Sequence, residues 1–312
     1  RQYTFKRDPS RLINANLVSE QDAVKNLNFL LSCAQTTKAR CSWDLMLEHI
    51  YFDYSIDDER TQILKILRRQ LQDALRFGLV TPGCIKGTQD RRDADSWHRL
   101  RTIMITASCC SKYLVEDHVN LGKKIKDLMW EPPTEFENVY LRYGRDNEDE
   151  ARRAYAELTG YVVFSTGLWV NPELPGLGAS RDGIVHCPKT GDSGLIEIKC
   201  CYMLRDHTPT HLGALTPEQR SRFYLKQDGS KYFLPRNHIY YKQIQMQLGI
   251  TGFKWCDFVI WTPKGLFVER IEQDETWWED VSLKLMNVHE KFICPEYFEM
   301  KLPRELSLIE LL

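Results

Sequence analysis

The apolar residues of the first 80 or so positions repeat with a helical period. One stripe, which follows a capping-box pattern from Ser19 to Asp22, consists of Val24, Leu27 and Leu31. A second stripe, which Gly78 would end, consists of Ile63, Leu67, Leu71, Ala74 and Leu75. The segment 81–95 is polar and rich in turn formers, as linkers are. We therefore predict a helical N-terminal region and linker over residues 1–95.

Beyond residue 95 the pattern changes to short runs of β-branched and aromatic residues between helical stretches. The predicted strands are 161–170, 194–200, 256–262 and 266–272. Pro263, Lys264 and Gly265 predict a hairpin turn between the last two strands. The predicted helices are 147–159, 237–249 and 276–292. This alternation predicts an α/β domain over residues 96–312.

Composition excludes several classes of protein. The chain is 43% hydrophobic, which supports a core, yet it has no run of about 18 apolar residues that could span a membrane. The first ten residues contain neither an initiator Met nor a secretory signal. Ten cysteines, including vicinal pairs, suit reduced thiols better than a disulfide framework. We therefore expect an intracellular protein, nuclear or cytoplasmic.

The formal net charge of −1 argues against a protein that merely coats nucleic acid. Basic and aromatic residues nevertheless alternate between Glu218 and Gln243. The cations are Arg220, Arg222, Lys226, Lys231, Arg236 and Lys242, and the rings are Phe223, Tyr224, Tyr232, Phe233, Tyr240 and Tyr241. Such a stretch either contacts a phosphate backbone with exposed bases or forms a solvated loop with packed aromatics.

The predicted strand 194–200 carries an acid and a base. Because side chains alternate along a strand, Ile196 and Ile198 share one face, while Glu197 and Lys199 share the other. Alone, this pair is an ordinary surface ion pair. Asp182 precedes a segment that can pair beside this strand, which would bring two carboxylates within reach of one Mg²⁺. The lysine could then orient or deprotonate a water molecule for attack on phosphorus.

A third acid, Glu148, lies on the same predicted inward helical face as Ala151, Tyr155 and Leu158. An inward-facing glutamate is costly unless it is paired or close to a metal ion, so Glu148 is a candidate for the same site. The alternative is a favourable interaction with the dipole of the first helical turn. A zinc site at His207 and His211 is disfavoured, because the sequence offers no further ligand pair at a suitable spacing.

Five ordered blocks resemble the lambda-type exonuclease family, the YqaJ-like viral recombinase group of the PD-(D/E)xK nuclease superfamily. The blocks are WHRLRTIMITAS (97–108), YGRDNEDEA (143–151), GASRDGIV (178–185), LIEIKC (195–200) and YYKQIQMQ (240–247). The resemblance covers about 97–272. It implies a PD-(D/E)xK core, which is a central mixed β-sheet flanked by helices. It also implies dependence on Mg²⁺, with Mn²⁺ as a substitute, and digestion of DNA from an end.

The resemblance also assigns roles to individual residues. It implies that Asp182 and Glu197 bind the metal, with the Ile198 carbonyl as a further ligand. Lys199 would position the attacking water, and Glu148 would complete the acidic centre. The phosphate-contacting positions would be Arg101, Ser108 and Tyr240. Gln243, on the same active-site helix as Tyr240, would be a further catalytic residue. The residues themselves add that Tyr240, Gln243 and Gln247 form one polar helical stripe.

Two departures from the family pattern stand out. Arg181 stands before Asp182, where the PD-(D/E)xK pattern has a proline, and the N-terminal helical region has no counterpart in the short phage enzymes.

The partners that the resemblance implies are DNA or RNA, together with further copies of the chain or a single-strand-annealing protein. Two alternatives to a DNA exonuclease stay open. One is an endonuclease or RNA-cleaving enzyme of the same fold, and the other is an inactive nucleic-acid-binding scaffold.

Overall fold

The structure is a computed structural model that describes residues 59–76, 79–85, 88, 95–114, 121–131 and 138–305. The helix predicted after Ser19 lies outside the described residues. The described α-helices are α1 (Glu59–Leu75), α2 (Asp95–Arg101), α3 (Leu121–Met129), α4 (Val139–Thr159), α5 (Pro217–Arg222), α6 (Ile239–Thr251), α7 (Glu275–Val288) and α8 (Cys294–Glu299). No helix in these ranges is long and apolar enough to cross a membrane.

The strands form a five-stranded sheet, a four-stranded sheet and a hairpin. The central sheet has the order β11 (Gly265–Glu272), β10 (Trp255–Thr262), β7 (Ser193–Cys200), β6 (Gly183–His186) and β3 (Val162–Phe164). Strands β7 and β10 are parallel, and all other neighbours in this sheet are antiparallel. The predicted fold class, a mixed sheet flanked by helices, is therefore confirmed, as is the hairpin of β10 and β11.

The second sheet has the order β1 (Gly83–Cys84), β4 (Leu168–Val170), β5 (Leu177–Ser180) and β2 (Ile105–Thr106). The separate hairpin consists of β8 (Lys226–Asp228) and β9 (Lys231–Phe233). The single strand predicted at 161–170 is wrong, because its two halves, β3 and β4, belong to different sheets. The break lies at Gly167, where a Cβ atom would come within 2.3 Å of the Thr88 hydroxyl oxygen.

Helix α1 packs against the domain that follows it. Its Leu71 and Leu75 are buried in one core with Met104 and with Ile250 of α6. The structure thus shows contacts of residues 59–75 with the domain beyond residue 95, and the boundary near residue 95 stays a prediction.

Helix α6 lies between two parts of the core, and this position brings its polar residues to the central sheet. Its Ile244 and Leu248 pack with Leu195 of β7, whereas its Met246 packs on the opposite side with Met104. Helix α4 covers the other face of the sheet with Ala151 and Tyr155, and ends at Gly160, whose φ of 72° suits a residue without a side chain. The sheet is therefore enclosed by helices on both faces.

Candidate active site

The two acidic strands pair beside each other. In the antiparallel ladder of β6 and β7, Gly183 lies opposite Ile196, so Asp182 stands next to the middle of β7. One carboxylate oxygen of Asp182 accepts a hydrogen bond of 2.7 Å from the Ile198 backbone N–H. This bond fixes the Asp182 carboxylate between the Glu197 and Lys199 positions of the neighbouring strand.

Glu197 is a buried carboxylate, only 2% exposed, that is held by three side-chain donors. Its Oε1 accepts hydrogen bonds from Lys199 Nζ at 2.6 Å and from Gln243 Nε2 at 2.7 Å. Its Oε2 accepts a third bond, 2.8 Å long, from Gln247 Nε2. Burial and the nearby charge of Asp182 raise the pKa of Glu197, although Lys199 and Gln247 oppose this shift.

Lys199 stays an ammonium group in this environment. Burial alone would lower its pKa, but the charges of Glu197 and Asp182 outweigh that effect, so the pKa of Lys199 is raised. Its Nζ lies 4.6 Å from the centre of the Tyr240 ring, whose face also favours a cation. In the absence of a competing cation, Lys199 is therefore a hydrogen-bond donor rather than a base.

Glu148 reaches the site through an arginine. It forms an ion pair with Arg152, one turn further along α4, and Arg152 also contacts Asp149 at 2.7 Å. The Nε of the same guanidinium donates a 3.0 Å hydrogen bond to the backbone carbonyl of Asp182. Within the described ranges, no group of three or more His, Cys, Asp or Glu is arranged to hold a metal ion. The third carboxylate is thus tied to the site but paired with its own helix.

The donor set nevertheless fits a hard divalent cation. Asp182 and Glu197 supply carboxylate oxygens, and the Ile198 carbonyl would add a neutral oxygen. Burial and the neighbouring Asp182 charge raise the pKa of Glu197, and a cation bound between the two carboxylates would offset both effects. Mg²⁺ needs only one or two protein carboxylates, because water and substrate phosphate complete its shell.

Two of the three predicted phosphate-contacting residues, Arg101 and Ser108, lie together beside this centre, whereas the third, Tyr240, lies against Lys199. Arg101 Nη2 donates to the Ser108 hydroxyl at 3.1 Å, and its guanidinium lies 4.1 Å above the Trp97 ring. The indole N–H of Trp97 in turn donates a 3.4 Å hydrogen bond to the hydroxyl of Ser180, two residues before Asp182. Ser108 is exposed, so the pair faces solvent where a substrate phosphate could approach.

The sequence predicts no specific contact for two residues of the site, Arg152 and Gln247. Arg152 follows Glu148 by four residues, a spacing that by itself suggests an ion pair. Gln247 belongs to the predicted polar stripe of the helix. Its Nε2 donates to Glu197 Oε2 at 2.8 Å and to the Ser180 carbonyl at 3.1 Å. At the departure from the family pattern, Arg181 is fully buried with its guanidinium 4.2 Å from the Trp169 ring.

The basic and aromatic stretch divides into two parts. Phe223 and Tyr241 are buried in the core, as expected for packed aromatics, whereas Arg220 and Lys231 are exposed. The rings of His207 and His211 stack at 4.9 Å. In the part of the chain that the structure describes, no third His, Cys, Asp or Glu joins this pair in a group that could hold a metal ion.

Comparisons with known proteins identify a matching family and several similar structures. The model of the YqaJ-like viral recombinase domain matches residues 96–254. Among solved structures, the chain is similar to an alkaline exonuclease (LHK-Exo) from Laribacter hongkongensis, with 28% identity over 68% of this chain and 99% of that one and a TM-score of 0.49. The complex of LHK-Exo with dAMP gives 27% identity, 68% and 95% coverage and a TM-score of 0.48.

A phage-related exonuclease from Haemophilus somnus 129PT is also similar, with 13% identity, 65% and 99% coverage and a TM-score of 0.43. No curated protein sequence matches the chain.

Proposed function

The chain belongs to the family of the YqaJ-like viral recombinase domain, a nuclease family, and we propose that it hydrolyses DNA phosphodiester bonds with Mg²⁺ held by Asp182 and Glu197. One observation carries this proposal: a buried glutamate, fixed by three donors, stands beside a second carboxylate and a protonated lysine. A surface ion pair would need neither the burial nor the two glutamines. Mn²⁺ would substitute for Mg²⁺, since both ions accept oxygen ligands.

In the proposed mechanism, the residues of the chain hold and orient the reacting groups. Gln243 and Gln247 fix the Glu197 carboxylate in one orientation, and the Ile198 N–H does the same for Asp182. A cation bound there would offset charge that develops on the phosphate and lower the pKa of a water ligand. Lys199 donates a hydrogen bond that orients the attacking water. The water oxygen would form the new bond to phosphorus while the ester P–O bond breaks. The proton that the water loses would pass to solvent, and the leaving oxygen would take up a proton, so that a phosphate and a hydroxyl end result.

The proposed preference for DNA ends rests on the family and on Arg101. The Arg101 guanidinium is held by the Trp97 ring and the Ser108 hydroxyl, so it is oriented before substrate binds. A terminal phosphate would accept two parallel hydrogen bonds from such a fork. Replacing Arg101 by Ala should therefore narrow any preference between phosphorylated and hydroxyl ends, measured as the ratio of the two digestion rates.

The test of the proposed function is a panel of labelled substrates. Linear duplex DNA, circular duplex, single-stranded DNA and RNA are incubated with Mg²⁺, with Ca²⁺ and with EDTA. We expect linear duplex to be lost with Mg²⁺ while circles are spared. Ca²⁺ should support binding with little cleavage, because it is larger and looser in geometry. Asp182→Asn, prepared identically, controls for contaminating nucleases.

Each other outcome selects an alternative. Cut circles would indicate an endonuclease, and cut RNA an RNA-cleaving enzyme of the same fold. Binding of DNA without cleavage under any metal would reject the nuclease in favour of the scaffold.

A further inference from the structure

A groove of about 790 Å³ lies between the loop that precedes α5 and the hairpin of β8 and β9. Its lining includes the basic side chains of His211, Arg220 and Lys226. No Asp or Glu stands among the lining residues, although the whole chain carries a net charge of −1. The groove therefore carries a local positive charge, although the net charge of the whole chain is slightly negative.

The ammonium group of Lys226 is fixed in position within this groove. Lys226 Nζ donates hydrogen bonds to the backbone carbonyls of Ser221 at 2.8 Å and Arg220 at 3.3 Å. An ammonium group has three N–H donors, so these two bonds leave one for an anion. Helix α5 is itself held by a reciprocal capping box between Thr216 and Gln219. An anion would thus meet a positive charge that is already ordered.

Two arginines on the same helix differ in their partners. Arg222 forms an ion pair of 3.1 Å with Glu218 and does not line the groove. Arg220 lines the groove, and no carboxylate of the described ranges pairs with its guanidinium. Of the two cations, the one that faces the groove is the one left for a ligand.

The groove belongs to the same end of the central sheet as Lys199. His211 stacks on His207, whose carbonyl accepts a 2.7 Å hydrogen bond from Thr262, the last residue of β10. Strand β10 runs parallel to β7, so its end lies beside the end of β7 that carries Lys199. The floor residues of the groove, Leu212 and Leu225, pack in the core that also holds α6.

We propose that this groove binds a single-stranded segment of nucleic acid, with phosphates at Arg220 and Lys226 and a base against the Tyr232 ring. Cations that follow a backbone, together with an aromatic ring, are the features of single-strand binding. The volume falls in the roughly 300–1,000 Å³ range of ligand clefts, which gives room for part of one strand. The identification of this strand as the substrate rests on the proposed function.

The test measures binding without cleavage. A labelled single-stranded DNA of about 20 nucleotides, longer than the roughly 4–16 that one binding module covers, is titrated with protein in EDTA and followed by fluorescence anisotropy. Arg220→Gln with Lys226→Gln should weaken binding about tenfold and lower the slope of log K against log salt by about 1.4, for two lost phosphate contacts. Arg222→Gln is the matched control and should leave both quantities nearly unchanged.

A second pair of variants tests the ring. Tyr232→Leu should weaken binding about tenfold, whereas Tyr232→Phe, which keeps the stacking face, should not. Because the Arg220 side chain is exposed, Arg220→Gln alone keeps the test valid if the double variant fails to fold. The proposal is overturned if the wild type does not bind the strand, if the groove variants bind normally, or if Arg222→Gln loses as much affinity. EDTA makes this result independent of hydrolysis, which tests the proposed function separately.

Discussion

Glu197 and Asp257 are two buried carboxylates on adjacent parallel strands, and their surroundings differ. They are 2% and 3% exposed, and Asp257 lies opposite Ile196, the residue before Glu197. Asp257 accepts two hydrogen bonds from the Arg270 guanidinium, at 2.9 and 3.0 Å, and a third of 2.6 Å from the Tyr155 hydroxyl. A forked cation of matching geometry therefore satisfies both of its oxygens.

Glu197 has no such dedicated counter-ion. Among the described residues, Lys199 is its one cationic hydrogen-bond partner, and the charge of Lys199 also acts on Asp182. The other two donors to Glu197 are the neutral amides of Gln243 and Gln247. The pKa of Glu197 is raised as a result of burial and of the Asp182 charge. A buried acid with its own arginine, such as Asp257, is therefore part of the structural framework. A buried acid that shares one lysine with a second acid suits a cation that comes from outside.

We expect the largest loss of cleavage from changes to the two acids that share Lys199, Asp182 and Glu197. Asp182→Asn or Glu197→Gln should reduce cleavage below detection, because each removes a metal ligand while keeping the shape of the side chain. The metal-free fold should be retained, since either change removes repulsion between the two carboxylates. Cleavage of linear duplex and thermal unfolding in EDTA measure the two effects. Near-normal turnover in either variant would reject the assignment of the metal site.

Lys199→Ala should lower the cleavage rate by about 10²-fold or more, the usual scale for losing a group that handles a proton or orients water. Binding of Mg²⁺ and DNA should persist, because both carboxylates and the phosphate contacts remain. Lys199→Arg keeps the charge, but its planar guanidinium is larger than an ammonium group and cannot place a donor at the same position, so it should preserve stability and still impair turnover. If Glu197 and Lys199 only form an ion pair, turnover in the alanine variant would be unchanged.

Gln247→Leu should weaken Mg²⁺ binding about tenfold, the lower end of the range for residues that orient a metal ligand. The change removes the donor to Glu197 Oε2 and replaces the amide by an apolar side chain of similar size. Gln245→Leu is the matched control on the same helix, because Gln245 is also buried but bonds the Glu272 carbonyl at 2.8 Å. Calorimetric titration of the metal should separate the two variants. Equal affinities would remove the positioning role of Gln247.

The features that the sequence predicted well depend on short-range patterns. The alternation in strand β7 places Ile196 and Ile198 on one face and Glu197 on the other, as expected. Asp182 lies only 16 residues before Ile198, whose N–H it accepts, so a simple antiparallel pair is enough to bring them together. The hairpin of β10 and β11 likewise follows from its turn residues.

The features that were missed depend on contacts between distant segments. The strand predicted at 161–170 breaks because Thr88, 80 residues before Leu168, accepts its N–H. The inward helical stripe ends early, since Leu158 is 64% exposed beyond the support of the sheet. The hydrogen bond between Tyr155 and Asp257 joins residues 102 positions apart, so no local pattern in the sequence predicts it.

The smallest expected effect on cleavage belongs to the other side of the comparison. Asp257→Asn should leave turnover near normal, because the carboxylate already has its own arginine and contacts none of the proposed catalytic residues in the described ranges. It should instead lower the free energy of unfolding by about 3 kcal/mol, the low end for a broken buried ion pair. We expect a cost at the low end of that range because the Arg270 side chain is 37% exposed, so water can solvate its charge after the pair is broken. Urea unfolding measures this cost, and Asp257→Asn with Arg270→Gln should recover part of it if the two side chains act as a pair. A folded Asp257→Asn protein that no longer cleaves DNA would mean that both carboxylates serve the chemistry, and the distinction between framework and site would fail.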